Sequence, residues 1–101
     1  MARERVGNVS DFAEESLNAI DVEGRAIVVI RHKGAFHAVP DRCTHAKKPL
    51  SDGSLEDGKV VCCYHGARFD LETGKPGLPA VKPLARYAVE VEGDEVFVDI
   101  P

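Results

Sequence analysis

Short runs with strand-like alternation, separated by glycine turns, make up both ends of the chain. Near the C-terminus Val96, Val98 and Ile100 alternate with Phe97 and Asp99, a period-two pattern with one apolar exception. Glu92-Gly93-Asp94 separates this run from Leu84–Val91. Near the N-terminus Glu23-Gly24 divides Ala19–Val22 from Arg25–Arg31, and Lys33-Gly34 turns the chain again into Ala35–Val39. Each of these reads as a hairpin. One segment, Ser10–Ser16, reads as helical, with Asp11-Phe12-Ala13-Glu14-Glu15 forming a single capped turn. The apolar run Ala26–Ile30 is far too short to span a membrane. These elements predict an all-β fold, an antiparallel sandwich or barrel of about 8 to 10 short strands.

The middle of the chain differs from its ends. Residues 41–82 contain five glycines, three prolines and all three cysteines, and read as loop-rich. They carry a net charge of +1, whereas the remainder carries −5, within a total of −4. An acidic β base with a near-neutral Gly/Pro-rich insertion places the working part in the insertion. At 101 residues the chain suffices for one domain, with 41–82 as a subdomain inside it, and leaves no room for a separate substrate domain. The net charge and the lack of tryptophan argue against nucleic-acid binding, which relies on clustered cations and stacking platforms. Met1-Ala2-Arg3-Glu4-Arg5 leads into no apolar segment, so no secretory signal is expected and the cytoplasm is the expected compartment.

Cysteine usage points to metal. Cys43, Cys62 and Cys63 cannot all pair within one chain, and a bridge between the neighbours Cys62 and Cys63 would be strained. Thiols grouped with histidines in a reducing compartment more often bind metal or catalyse than staple a fold. Here they stand as Cys43-Thr44-His45 and Cys62-Cys63-Tyr64-His65, with sixteen residues between. Two thiols and two imidazoles suit zinc or an iron–sulfur cluster and not the oxygen-seeking magnesium or calcium. The common zinc finger joins Cys to Cys and His to His. Here each loop supplies one of each, an arrangement that fits a binuclear centre whose two irons need different ligands.

At these residues the sequence resembles the Rieske [2Fe–2S] family, most closely its small soluble ferredoxins. The C-x-H at 43–45 and the C-x-x-H at 62–65 carry the likeness. Pro49-Leu50-Ser51-Asp52-Gly53, His65-Gly66-Ala67-Arg68-Phe69-Asp70, Thr73-Gly74-Lys75 and Pro79-Ala80 extend it. The resemblance implies a Rieske fold, an antiparallel β-sandwich base with a loop-rich cluster-binding subdomain. It also implies that Cys43 and Cys62 bind one iron and His45 and His65 the other. With two thiolates the oxidised centre is neutral and its reduced form carries −1. A four-thiolate centre would go from −2 to −3, so the histidine-ligated kind accepts an electron more readily. The histidine-bound iron is then the reducible one, with His45 and His65 at the surface. Cys63 also forms a C-x-H with His65, so spacing alone leaves Cys62 and Cys63 both open as the ligand. The family pattern favours Cys62.

Two departures from the high-potential members bear on the potential. Those members carry a bridging cysteine in each loop, where this chain has Lys48 and Tyr64. They also have Ser and Tyr hydroxyls bonding the cluster sulfurs, where this chain has Ala67 and Phe69. A low-potential cluster is expected, near or below about −100 mV. By resemblance the chain is a one-electron carrier and not itself an enzyme. It would pass electrons from a flavin-dependent reductase to the terminal oxygenase of an aromatic-ring dioxygenase system. A monomer is expected, docking transiently through the His45/His65 edge, with Lys47 and Lys48 able to steer an acidic partner. Two other readings remain open. One is the small Rieske subunit of an assimilatory nitrite reductase, and the other is a structural zinc module.

The remaining features have plainer readings. His32, His37 and Asp41 could be imagined as a mononuclear iron triad, but read as ordinary surface or half-buried residues. Pro76-Gly77-Leu78-Pro79 could be a plain rigid turn, whereas the family resemblance implies that it covers the cluster, and Asp70–Gly74 reads as a hairpin turn. Glu14-Glu15 and Asp94-Glu95 read as solvated carboxylates.

Overall fold

The computed structural model describes residues 2–22, 24–42, 49–62, 67–77 and 85–100. Its strands in chain order are β1 (Ala2–Asn8), β2 (Ser16–Val22), β3 (Arg25–His32), β4 (Ala35–Pro40) and β5 (Ser54–Glu56), then β6 (Lys59–Val61), β7 (Arg68–Asp70), β8 (Pro76–Gly77), β9 (Ala88–Glu92) and β10 (Glu95–Ile100). They form three antiparallel sheets, ordered β1-β10-β9, β2-β3-β4 and β5-β6-β7-β8. A bridge between Ala38 and Tyr87 joins the first two sheets into one base. The all-β expectation is met. The insertion is more regular than its composition suggests, because four short strands lie within it.

Strand β3 explains why Ile27–Ile30 is apolar without alternation: both faces of the strand are buried there. Val28 and Ile30 pack with Val39, Leu50, Val60, Phe69 and Leu71 between base and third sheet. Ile27 and Val29 point the other way, against Phe12, Val96, Val98 and Ile100. Each of these four β3 side chains is fully buried, worth about 2 kcal/mol of apolar transfer. The Lys33-Gly34 turn after β3 has φ of 50° and 79°, the doubly left-handed geometry of a tight hairpin. The apolar exception in β10 also has its reason. Phe97 faces outward and the Arg3 guanidinium lies 3.9 Å above its ring, held by ion pairs to Glu90 and Glu92.

Two local expectations need correction, and one strand carried no sequence signal. The helical turn is a 3-10 turn confined to Val9–Asp11, because the chain extends at Phe12 to bury that ring edge-on against Phe36. Strand β1, whose Arg3-Glu4-Arg5 hides any alternation, pairs with β10 from Ala2–Ile100 to Asn8–Glu95. Glu14 and Glu15 are not merely solvated: Glu14 accepts from Gly34 N at 3.2 Å, and Glu15 Oε2 lies 2.5 Å from His32 Nδ1. Likewise Glu95 pairs with Arg5, at 3.3 Å.

Arg31 organises the segment before β2. Its guanidinium donates to Phe12 O at 2.8 Å and lies 5.4 Å from the Phe36 ring centroid. The Glu14 carboxylate sits 3.0 Å from Nε but off the N–H direction, so that pair is a charge contact rather than a directed hydrogen bond. Arg31→Ala is expected to lower the unfolding free energy by about 2 kcal/mol. The check is a lower urea midpoint at unchanged m-value, with Arg31→Lys recovering only part of the loss.

Candidate metal centre

The second ligand loop grows directly from a hairpin. Strand β6 ends at Val61, paired with Arg68 of β7, and the next residue inward on each side, Cys62 and Ala67, is tied by Cys62 N donating to Ala67 O at 2.7 Å. Cys62 thus stands at the mouth of a four-residue loop whose third member is His65. It is 1% exposed and packs with Leu50, Ala67 and Phe69. Among the four expected ligands Cys62 lies within the described residues. Cys43, His45 and His65 lie outside them, as do Cys63, Tyr64, Lys47, Lys48, Leu78 and Pro79.

The first loop leaves the base just after β4 and returns at Pro49. On the outgoing side Asp41 N donates to Ala26 O of β3 at 3.0 Å. On the returning side Ser51 N donates to Asp41 Oδ1 and Ser51 Oγ to Asp41 Oδ2, both at 2.8 Å. Beyond it the 3-10 turn Leu50–Asp52 is closed by Gly53 N donating to Leu50 O at 2.9 Å. A Cβ on Gly53 would stand 1.9 Å from Val61 O, so the chain leaving the first loop lies directly on the strand that delivers Cys62. The chain returning from the first loop and the stem of the second therefore meet at one end of the third sheet. Strand β8 pairs Gly77 with Arg68, so β8 ends at this same end.

Charge near the loops is modest. Arg68 and Glu56 form an exposed pair at 3.6 Å, of little energetic weight. Asp70 makes the expected turn: the N–H groups of Glu72 and Thr73 donate to its Oδ1, and they hold its carboxyl below the usual range. Burial, then the charges of Arg86 and His32, holds the His37 imidazole below its ordinary value, which keeps it neutral. The imagined triad is not assembled, since His32 faces Glu15 and both Asp41 oxygens face Ser51. Among the described residues no group of three His, Cys, Asp or Glu side chains is placed to hold an ion.

An all-β base interrupted by two segments with C-x-H and C-x-x-H spacing is the pattern of a small cluster-binding electron-transfer protein. The profile of the Rieske [2Fe-2S] domain matches residues 3–88. The chain is 42% identical over 95 residues to the 3-phenylpropionate/cinnamic acid dioxygenase ferredoxin subunit of Escherichia coli (strain K12), covering 92% of this chain and 89% of that one. Its fold matches the ferredoxin of carbazole 1,9a-dioxygenase from Nocardioides aromaticivorans IC177, with TM-score 0.90, 32% identity and 97% of both chains covered. It also matches a chain in a complex of reduced oxygenase and oxidized ferredoxin in carbazole 1,9a-dioxygenase, with TM-score 0.89 and 33% identity over 95% of this chain and 91% of that one. This chain belongs to the Rieske [2Fe-2S] family. It is an electron-transfer component with a [2Fe–2S] cluster and not a catalyst, which removes the zinc-module reading.

Of the four expected ligands Cys62 is the one described, and its surroundings fit that group. Cys62 sits in apolar surroundings where an uncompensated thiolate would be costly and a metal-bound one is neutralised. The side chains of Ala67 and Phe69 beside it are fully buried and offer no hydroxyl. The glycine that ends the Pro49–Gly53 run has a packing reason, the close approach of Gly53 to Val61. Gly53→Ala is expected to destabilise the fold by about 2 to 3 kcal/mol, because the atom in the way is backbone. Chemical denaturation would detect this, whereas Gly93→Ala, with nothing within 4 Å of its added Cβ, meets only the strain of its φ of 59°.

Proposed function

We propose that Cys43 and Cys62 hold one iron and His45 and His65 the other, with residues 41–82 as the cluster-binding subdomain. When bound, the cluster takes up and returns one electron at a time. The chain's own residues supply two neutral and two anionic ligands, a buried apolar backing and a surface edge. The observation that carries this reading is the closure of the Cys62–Ala67 stem beside the point where Gly53 lies on Val61. Cys62 rather than Cys63 is the ligand, since Cys62 sits at that stem beside the core.

The carrier receives electrons from a flavin-dependent reductase and delivers them to the terminal oxygenase of an aromatic-ring dioxygenase. The names of its relatives support this partner over an assimilatory nitrite reductase. It works as a monomer in the cytoplasm and docks weakly through its His45/His65 edge, with Lys47 and Lys48 steering an acidic partner. No helix among the described residues is long and apolar enough to cross a membrane.

Purified protein should contain two iron atoms and two acid-labile sulfides per chain, a ratio set by the cluster type. Cys62→Ser should abolish both and Cys63→Ser should spare both; the reverse outcome would reassign the ligand. The midpoint potential should lie near or below about −100 mV. Ala67→Ser, by introducing a donor beside Cys62, should raise it by about 50 mV, one net hydrogen bond's worth. A redox titration giving a positive midpoint for the unmodified protein would overturn the low-potential reading.

A further inference from the structure

The two ligand loops are closed by different means. The second is shut by a backbone hydrogen bond at the end of a hairpin, Cys62 N to Ala67 O. The first spans from the base sheet to the third sheet, and a side chain grips its two ends. Asp41 stands two residues before Cys43, and Ser51 stands six residues after His45. The Asp41 amide is fixed to Ala26 O of β3, and both of its carboxylate oxygens accept from Ser51. Ser51 lies in the 3-10 turn that ends against Gly53, and Gly53 lies against Val61 O, one residue before Cys62. An unbroken series of short contacts therefore runs from β3 through Asp41, Ser51, Gly53 and Val61 to the cysteine of the other loop.

We infer that Asp41 and Ser51 are positioning residues for the cluster: their two-point clamp sets where the first loop, with Cys43 and His45, stands relative to the second. The inference rests on the ligand assignment above. Two parallel hydrogen bonds to one carboxylate fix orientation as well as distance, which a single bond does not. The ligands of a binuclear centre come from both loops, so a change in their relative position alters how the irons are held. The clamp acts through its geometry and not through its charge. An asparagine reproduces it, accepting from Ser51 N and donating to Ser51 Oγ.

The test uses the full-length, cluster-loaded protein, with Asp41→Ala, Ser51→Ala and the conservative pair Asp41→Asn and Ser51→Thr. Three quantities are read. They are iron and sulfide content, the half-life of the visible absorbance under excess EDTA, and the g-values of the dithionite-reduced protein by electron paramagnetic resonance. Asp41→Ala should shorten the half-life about tenfold and Ser51→Ala about threefold, both with shifted g-values. Asp41→Asn and Ser51→Thr should restore wild-type behaviour. Should Asp41→Ala fail to fold, Ser51→Ala decides the matter alone. Unchanged half-life and g-values in the alanine variants would overturn the clamp, as would Asp41→Asn behaving like Asp41→Ala. An unmodified protein without two irons and two sulfides would instead overturn the ligand assignment, and this inference with it.

Discussion

The centre of strand β3, Ile27–Ile30, has no solvent face, and most of the architecture follows from that. Val28 and Ile30 form one wall of the core beneath the third sheet, while Ile27 and Val29 form a wall of the core inside the base. The two cores share a strand only one residue thick, so the loop-bearing sheet cannot shift on the base without opening packed apolar surface. A cluster site needs such a mount. Its ligands lie on loops, and loops hold their geometry only when rigid elements fix their ends.

The ends of these loops are fixed with economy. In one, a hairpin closes on itself through Cys62 and Ala67. In the other, Asp41 reaches across to Ser51, and Gly53 lets the returning chain lie on Val61. Ala67 and Phe69, packed in the same core cluster as Cys62, are fully buried and offer no hydroxyl. The charge distribution agrees with this division of labour, since the acidic excess belongs to the base and the 41–82 segment is close to neutral.

How much was legible in the chain varied with the physical origin of each feature. The hairpins around Lys33-Gly34 and Gly93 were legible because a two-residue turn is set by its own φ angles. The alternation of Val96, Val98 and Ile100 reported a half-buried strand correctly. Strands β5 to β8 were not legible, because two or three residues are too few to show a period. Strand β1 was hidden because Arg3 and Arg5 face solvent and pair with carboxylates contributed by β9 and β10. The 3-10 turn ended earlier than local preference suggested, since burial of Phe12 outweighs a weak helical propensity.

The sequence by itself determined the family. The C-x-H and C-x-x-H spacings that carry the likeness are a property of residue types and short intervals. It equally determined the all-β class, because alternation and turn residues act within a few positions of one another. Only the tertiary structure decided what holds the two loops in place. The grip of Asp41 on Ser51, the need for glycine at 53 and the two-faced burial of β3 all arise from segments far apart in the chain meeting at contact distance. No local pattern encodes such a meeting, because it depends on how three sheets pack.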